Sequence, residues 1–226
     1  MGGKKEGLKL DRQLDKKLKA KKRIVEDESS YRLATSRPFI QKPVYFDKDL
    51  NAYRFRLPSF YPIDELNPSI TQLGIAAQAP FSTLATRGLF DFGTLKTGNG
   101  RTQGVARYRY TNSGERIDNI TDWGLNKFIK QYGKKGVTKD AIFVYVYAVL
   151  HDPVYRETYA LNLKREFPRI PFYPDFALWV AWGETLMAMH IGYEAVDPWP
   201  VQRTVTPNAK RAVGVRPKPA PKSQPE

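Results

Sequence analysis

The chain has 226 residues, with 37 Lys and Arg against 23 Asp and Glu, no cysteine and a formal net charge of +14. That length supports one sizeable core or two small ones, and the lack of cysteine excludes disulfides, thiolate metal sites and cysteine nucleophiles within these residues. A positive surplus of this size attracts polyanions, of which nucleic acid is the commonest, although basic tails on an ordinary soluble protein also produce one. There is no apolar signal region at the start and no run of the ~20 apolar residues that cross a bilayer, so a cytoplasmic location is expected.

Residues 1–30 form a basic segment. Leu10, Leu14, Leu18 and Ile24 recur near helical spacing among Lys9, Arg12, Lys16, Lys17 and Lys19, which suits either a helix lying on phosphates or a solvated face. Residues 31–115 are short pieces broken by Pro, Gly, Asn and Asp, and the reading is β-rich. Pro43–Asp47, Ala52–Leu57, Gln72–Ala77 and Val105–Tyr110 suit strands, and the second and fourth alternate apolar or aromatic residues with arginine.

After a turn at Asn112–Glu115, residues 116–195 read as helical. Thr121 caps a helix carrying Trp123, Leu125, Phe128, Ile129 and Tyr132, which Gly133 ends. Thr138 opens the apolar run Ala141–Leu150, expected to be the buried centre of the fold as a helix, with a buried strand as the alternative. His151-Asp152-Pro153 makes a corner, since Asp caps well and Pro fits the first turn. One further helix then carries Tyr155, Tyr159 and Leu163. It stops before Phe167-Pro168-Arg169-Ile170-Pro171, which two prolines hold extended. A last helix spans Asp175 to His190, with Gly192 beyond it. His151, Trp123, Trp179 and Trp182 are expected to pack. The expected architecture is therefore α+β, a mixed or antiparallel β region packed on a C-terminal helical scaffold, followed by a disordered Pro/Lys/Arg tail over residues 201–226.

No catalytic constellation stands out. His151 and His190 lie in no ligand-spaced motif, there is no phosphate-binding Gly-Lys-Ser/Thr loop, and Gly98–Gly104 has the wrong spacing for a dinucleotide turn. The hydroxyls of Pro80–Arg87 have no activating partner nearby in sequence. What remains is arginine interleaved with aromatics: Arg54 and Arg56 on one strand face, Arg107 and Arg109 on another, Arg101 in the preceding turn. Arginine pairs with guanine or with phosphate, and these are also ordinary surface side chains in many proteins. Ser82, Thr83 and Thr86 suit either kind of contact.

The order Ser36-Arg37-Pro38-Phe39, Val44-Tyr45-Phe46-Asp47, Pro80–Thr86 and Arg107-Tyr108-Arg109-Tyr110 resembles the C-terminal region of Type ISP restriction-modification enzymes. The likeness continues through Asp118–Trp123, Tyr145–His151, Tyr155-Arg156-Glu157 and Phe167–Pro171, and covers about Leu8 to Tyr193. Single motifs of this kind are weak, but six or more in one order are specific. The resemblance implies that residues 31–200 correspond to a target recognition domain, whose larger enzymes join a nuclease, a helicase-like ATPase and an adenine-specific DNA methyltransferase. This chain departs from those enzymes in lacking an Asn/Asp-Pro-Pro-Tyr/Phe motif and any ATPase motif. S-adenosylmethionine, ATP and Mg²⁺ are accordingly expected only in missing or partner domains, and no cofactor or metal in this chain.

The implied partners are double-stranded DNA and a methyltransferase or helicase subunit, with no membrane and no small-molecule substrate. The implied mechanism is a basic cleft on duplex DNA, with phosphate contacts setting register and a few side chains reading bases. The expected contact set is Arg37, Lys42, Arg54, Arg56, Thr83, Arg87, Arg101, Arg107 and Arg109, with Arg37 and Arg169 equally suited to pinning carbonyls beside the prolines. The alternative is a non-catalytic subunit or remnant that docks a methyltransferase or helicase without reading DNA.

Overall fold

A computed structural model describes residues 25–200 except 52, 63–65, 76, 78, 97–100, 198 and 199, and only 16, 19, 20 and 23 of the preceding residues. The chain divides into two compact units, Met1–Ala195 and Val196–Glu226. The expected helix over Leu8–Val25 and the expected tail over 201–226 fall largely or wholly outside the described residues.

Among the described residues, seven strands make three small antiparallel sheets. β1 (Tyr31–Arg37) pairs with β2 (Ile40–Tyr45), β3 (Ser69–Leu73) lies between β4 (Thr83–Thr86) and β5 (Thr102–Ala106), and β6 (Tyr108–Tyr110) pairs with β7 (Arg116–Asp118). A four-residue helix, α1 (Leu57–Phe60), precedes β3, and the helices α2 (Asp122–Tyr132), α3 (Lys139–Val149), α4 (Pro153–Thr158), α5 (Asn162–Arg165) and α6 (Phe176–Ile191) follow β7. The fold class is α+β, with sheets in the N-terminal half and helices in the C-terminal half.

Helix boundaries follow the caps. Thr121 accepts a hydrogen bond from Gly124 N and Thr138 one from Ala141 N, each satisfying an amide left without a partner in the first turn. Gly133, at φ +82°, ends α2 in a conformation that glycine adopts without penalty. The run Ala141–Leu150 resolves as helix, and α3 carries the core: Tyr145, Tyr147 and Val149 are fully buried. Around Tyr145 stand Phe128, Tyr132 and Phe176 with centroids 4.9–6.3 Å apart, and Tyr132 stacks on Phe176. The Tyr145 hydroxyl donates to the Pro171 carbonyl at 2.7 Å and the Tyr155 hydroxyl to that of Arg169 at 3.0 Å, so the extended double-proline segment hangs from two core tyrosines.

α3 and α6 cross at Gly183, where a Cβ would lie 2.0 Å from the Val144 carbonyl oxygen. Only glycine permits that approach. Strand β4 is coupled to the same scaffold, because Ala85 N donates to the Tyr147 hydroxyl at 2.7 Å and Tyr147 bonds in turn to His190 Nδ1. The tip of the β1–β2 hairpin also reaches it, through Phe39 set edge-on against His190 and Tyr193.

Five expectations are corrected. The strand Pro43–Asp47 ends at Tyr45 and begins earlier, at Ile40. Ala52–Leu57 contains no strand among its described residues: Phe55 has φ +47°, and Leu57 already begins α1 with Pro58 in its first turn, where the fixed φ of the ring suits a helix. The central strand is Ser69–Leu73 rather than Gln72–Ala77. Its alternation was hidden because it is buried on both faces and rich in hydroxyls, with Thr71 Oγ1 donating to Leu84 O and Thr83 Oγ1 to Thr71 O, both at 2.7 Å. Val105–Tyr110 is two strands in separate sheets, broken at Arg107, whose amide donates to the Pro68 carbonyl at 2.8 Å. Tyr155 and Leu163 lie on two short helices, α4 and α5, because the chain must double back to bring Arg169 over Tyr155.

Candidate nucleic-acid interface

A concavity of about 910 Å³ opens between the turn leading into α1 and the start of β5. Its apolar wall is Phe55, Phe60, Phe90, Phe92 and Phe167, its cations are Arg56 and Arg101, and none of the described residues lining it is acidic. A second concavity of about 330 Å³ shares Leu57, Phe90 and Phe92 with it and adds Lys42, Arg54, Tyr53 and Asp91. The common floor is built by contacts between segments distant in sequence: Gly104 lies so close to Phe90 that a Cβ would meet the ring at 2.5 Å, and Asp91 N donates to Thr35 O, which fixes the 90–92 turn on β1.

Four of the nine expected contact residues, Lys42, Arg54, Arg56 and Arg101, therefore gather around one pair of phenylalanines. Arg37 stands at the edge, its guanidinium 3.7 Å from Asp91 and bonded to the Ser36 and Gly93 carbonyls. Both partners of that pair are about half exposed, so it contributes little to stability. Arg54 and Arg56 do not share a strand face, because the left-handed residue between them breaks the alternation.

The remaining four are elsewhere. Arg87 is exposed and lines a small crevice with Phe39 and His190, and Arg109 is exposed on β6 opposite Ile117. Thr83 is buried with its hydroxyl committed to Thr71 O. Arg107 is 5 % exposed. Its Nε donates to Asp140 at 2.5 Å and its Nη1 to Asp118 at 2.6 Å, and it lies 4.4 Å from the Tyr108 ring centroid. Burial opposes its charge, but the two carboxylates outweigh burial and hold its pKa above the ordinary arginine value. Burial likewise pushes Asp118 up, and the bonds from Arg107 and Lys139 overcome that and keep it below the ordinary value of 3.8. Arg107 thus ties β6, β7 and α3 together, and it does not share a face with Arg109 as the sequence suggested.

The expected packing of the tryptophans holds in part. Trp179 stacks on Tyr173 at 4.7 Å, whereas Trp123 is 72 % exposed with Lys127 over its ring, and Trp182 is 52 % exposed on α6. Sequence reasoning missed two contributors to the region, the exposed ring of Phe55 and the side-chain amide of Gln103. Only Phe55 left a signal, as the aromatic between two arginines. Asn67 was also missed; buried at 1 % exposure, it donates to Phe60 O and Tyr108 O and accepts from Tyr108 N, which fixes α1 against β6.

The site is a cleft of phenylalanine and arginine on an α+β frame, and among the described residues no group of three or more His, Asp or Glu could hold a metal. The sequence matches the Type ISP C-terminal specificity domain over residues 2–224, and the chain belongs to that family. A cryo-electron-microscopy structure of a DrdV–DNA complex is similar with a TM-score of 0.82 and 42% identity over 92% of this chain. A nuclease-deletion mutant of the Type ISP restriction-modification enzyme LlaGI, in complex with a DNA substrate mimic, gives 0.69 and 28% over 84%. The ATP-dependent Type ISP enzyme LlaBIII bound to DNA shares the fold, with 0.72 and 23% over 83%. The chain spans 20%, 16% and 12% of those three chains respectively. None of the curated proteins compared matches it.

Proposed function

We propose that this chain binds duplex DNA in a sequence-specific way, as the target recognition part of a Type ISP-like restriction-modification system. The observation that carries the reading is the convergence of Lys42, Arg54, Arg56 and Arg101 on two adjoining concavities that share Phe90 and Phe92, in a member of a specificity-domain family. The 42% and 28% identical relatives, each solved with DNA or a DNA mimic, support the choice of ligand. Cations on the rim set the register through phosphates, and polar groups within the cleft read bases.

Adenine methylation, cleavage and translocation belong to the remaining domains of such a system, and so do S-adenosylmethionine, ATP and Mg²⁺. A soluble cytoplasmic setting follows from that role; among the described residues no helix is long and apolar enough to cross a membrane.

The test is fluorescence anisotropy of the full chain on duplex DNA across a salt series, followed by selection from a random duplex pool. Log affinity falls with log salt at about −0.9 per phosphate neutralised, and Arg56→Ala with Arg101→Ala makes the slope shallower by roughly one per contact removed. A salt-independent affinity, or a pool that returns no preferred sequence, refutes the reading.

A second reading, docking of a methyltransferase or helicase subunit, is favoured by α6. Leu178, Trp182 and Met189 are all exposed on that helix, and Glu184 is its sole acidic or basic side chain apart from His190.

A further inference from the structure

We propose that the cleft beside Phe55 receives one base taken out of the stack of the bound DNA, with the Phe55 ring as its stacking platform. This rests on the DNA-binding reading above. Phe55 is 66 % exposed and has a left-handed backbone, φ +47°. Such a conformation is uncommon for a bulky side chain and is typical of positions where function sets the geometry. The ring is not loose, because it meets Phe92 edge-on at 4.9 Å and 87° while Tyr53 lies 6.2 Å away. An aromatic face fixed in this way on a concavity of this size gives a base the same contact that neighbouring bases give it in the duplex.

The surroundings supply what else a nucleotide needs. Arg56 and Arg101 line the same cleft for flanking phosphates, Gln103 adds a side-chain amide for a base edge, and none of the described residues lining it carries a carboxylate. A volume of about 910 Å³ is ample for one nucleotide and falls within the range of ordinary ligand pockets. An apolar protein partner would cover the phenylalanines but leave both arginines without anions, and a nucleotide satisfies both.

The experiment compares two labelled probes by anisotropy with the full chain: a fully paired duplex, and the same duplex with one extra unpaired adenine. An already unpaired base escapes most of the unstacking and unpairing cost that a paired base bears on extrusion, so the chain prefers the unpaired-base probe by roughly 10-fold or more. Phe55→Ala abolishes that preference, and Phe55→Trp keeps it. The ring is exposed, so these variants fold, and unchanged thermal melting confirms it. Equal affinity of the wild type for both probes, or a preference that survives Phe55→Ala, overturns the proposal while leaving DNA binding intact. Failure to bind either probe at low salt overturns both readings.

Discussion

Arg107→Met separates a structural arginine from a DNA-contacting one. The substitution removes two charge-assisted hydrogen bonds from a side chain that is 5 % exposed and leaves Asp118 and Asp140 without it. Each bond to a charged group is worth ~1.5–3 kcal/mol, and breaking a buried pair costs about 3–5 kcal/mol. Here Asp140 is well exposed and Lys139 still bridges Asp118 at 3.4 Å, so solvent and Lys139 offset part of that loss. The expected destabilisation is therefore about 3 kcal/mol, at the low end of the range for a broken buried pair. For a chain of this size that lowers Tm by roughly 6–12 °C. Arg107→Lys restores little of it, since an ammonium cannot place two fixed donors on two carboxylates. Urea unfolding and calorimetry measure the loss, and anisotropy at a temperature where the variant is folded measures binding. DNA affinity stays within about twofold and the salt slope is unchanged, because a phosphate contact would alter that slope by about one. Unaltered Tm together with weaker, less salt-sensitive DNA binding would refute the structural assignment.

Gly183→Ala forces α3 and α6 apart, since its Cβ would overlap the Val144 carbonyl; the expected loss is about 3 kcal/mol, read by urea denaturation, while the neighbouring exposed Thr185→Ala changes little. Tyr147→Phe removes the acceptor of the buried Ala85 amide and should destabilise by about 1–3 kcal/mol, with faster hydrogen exchange at Ala85 as the local readout. Burial pushes the His151 imidazole down to about 4; the charges of Arg156 and His190 add to this, and the hydrogen bond to the Tyr147 carbonyl opposes it. The folded pKa lies below the unfolded value of 6.5, so the unfolded chain takes up the proton first. Stability is complete above pH 6.5 and falls as pH drops toward 4, by on the order of 2 kcal/mol. His151→Gln flattens that dependence in urea titrations between pH 7 and 4, and a wild-type curve already flat there contradicts the burial argument.

The helical half was legible because its signals are local. Thr121, Thr138, Asp152 and Asp175 each accept a bond from an amide two or three residues on, and Gly133 and Gly192 stand at the ends of α2 and α6. The β half was less so. β3 is buried on both faces and shows no alternation, and the alternating stretch Ala52–Leu57 breaks at Phe55 and runs into Pro58. Of the site, the sequence named the arginines but misjudged their company. The grouping of Lys42, Arg54, Arg56 and Arg101 depends on Phe90 and Phe92, which belong to none of the patterns that drew attention to the cations.

The sequence by itself determined the cationic surplus, the capped helix starts and the family, since each depends on composition, on residues within one turn of each other, or on motif order. Whether a given arginine faces solvent or sits between two carboxylates was decided only by the tertiary structure. Arg107 and Arg109 are two positions apart and alike in sequence, yet one is buried on Asp118 and Asp140 and the other is exposed. The carboxylate of Asp140 arrives from a helix 33 residues away, and no local pattern encodes a charge that folding brings from that distance.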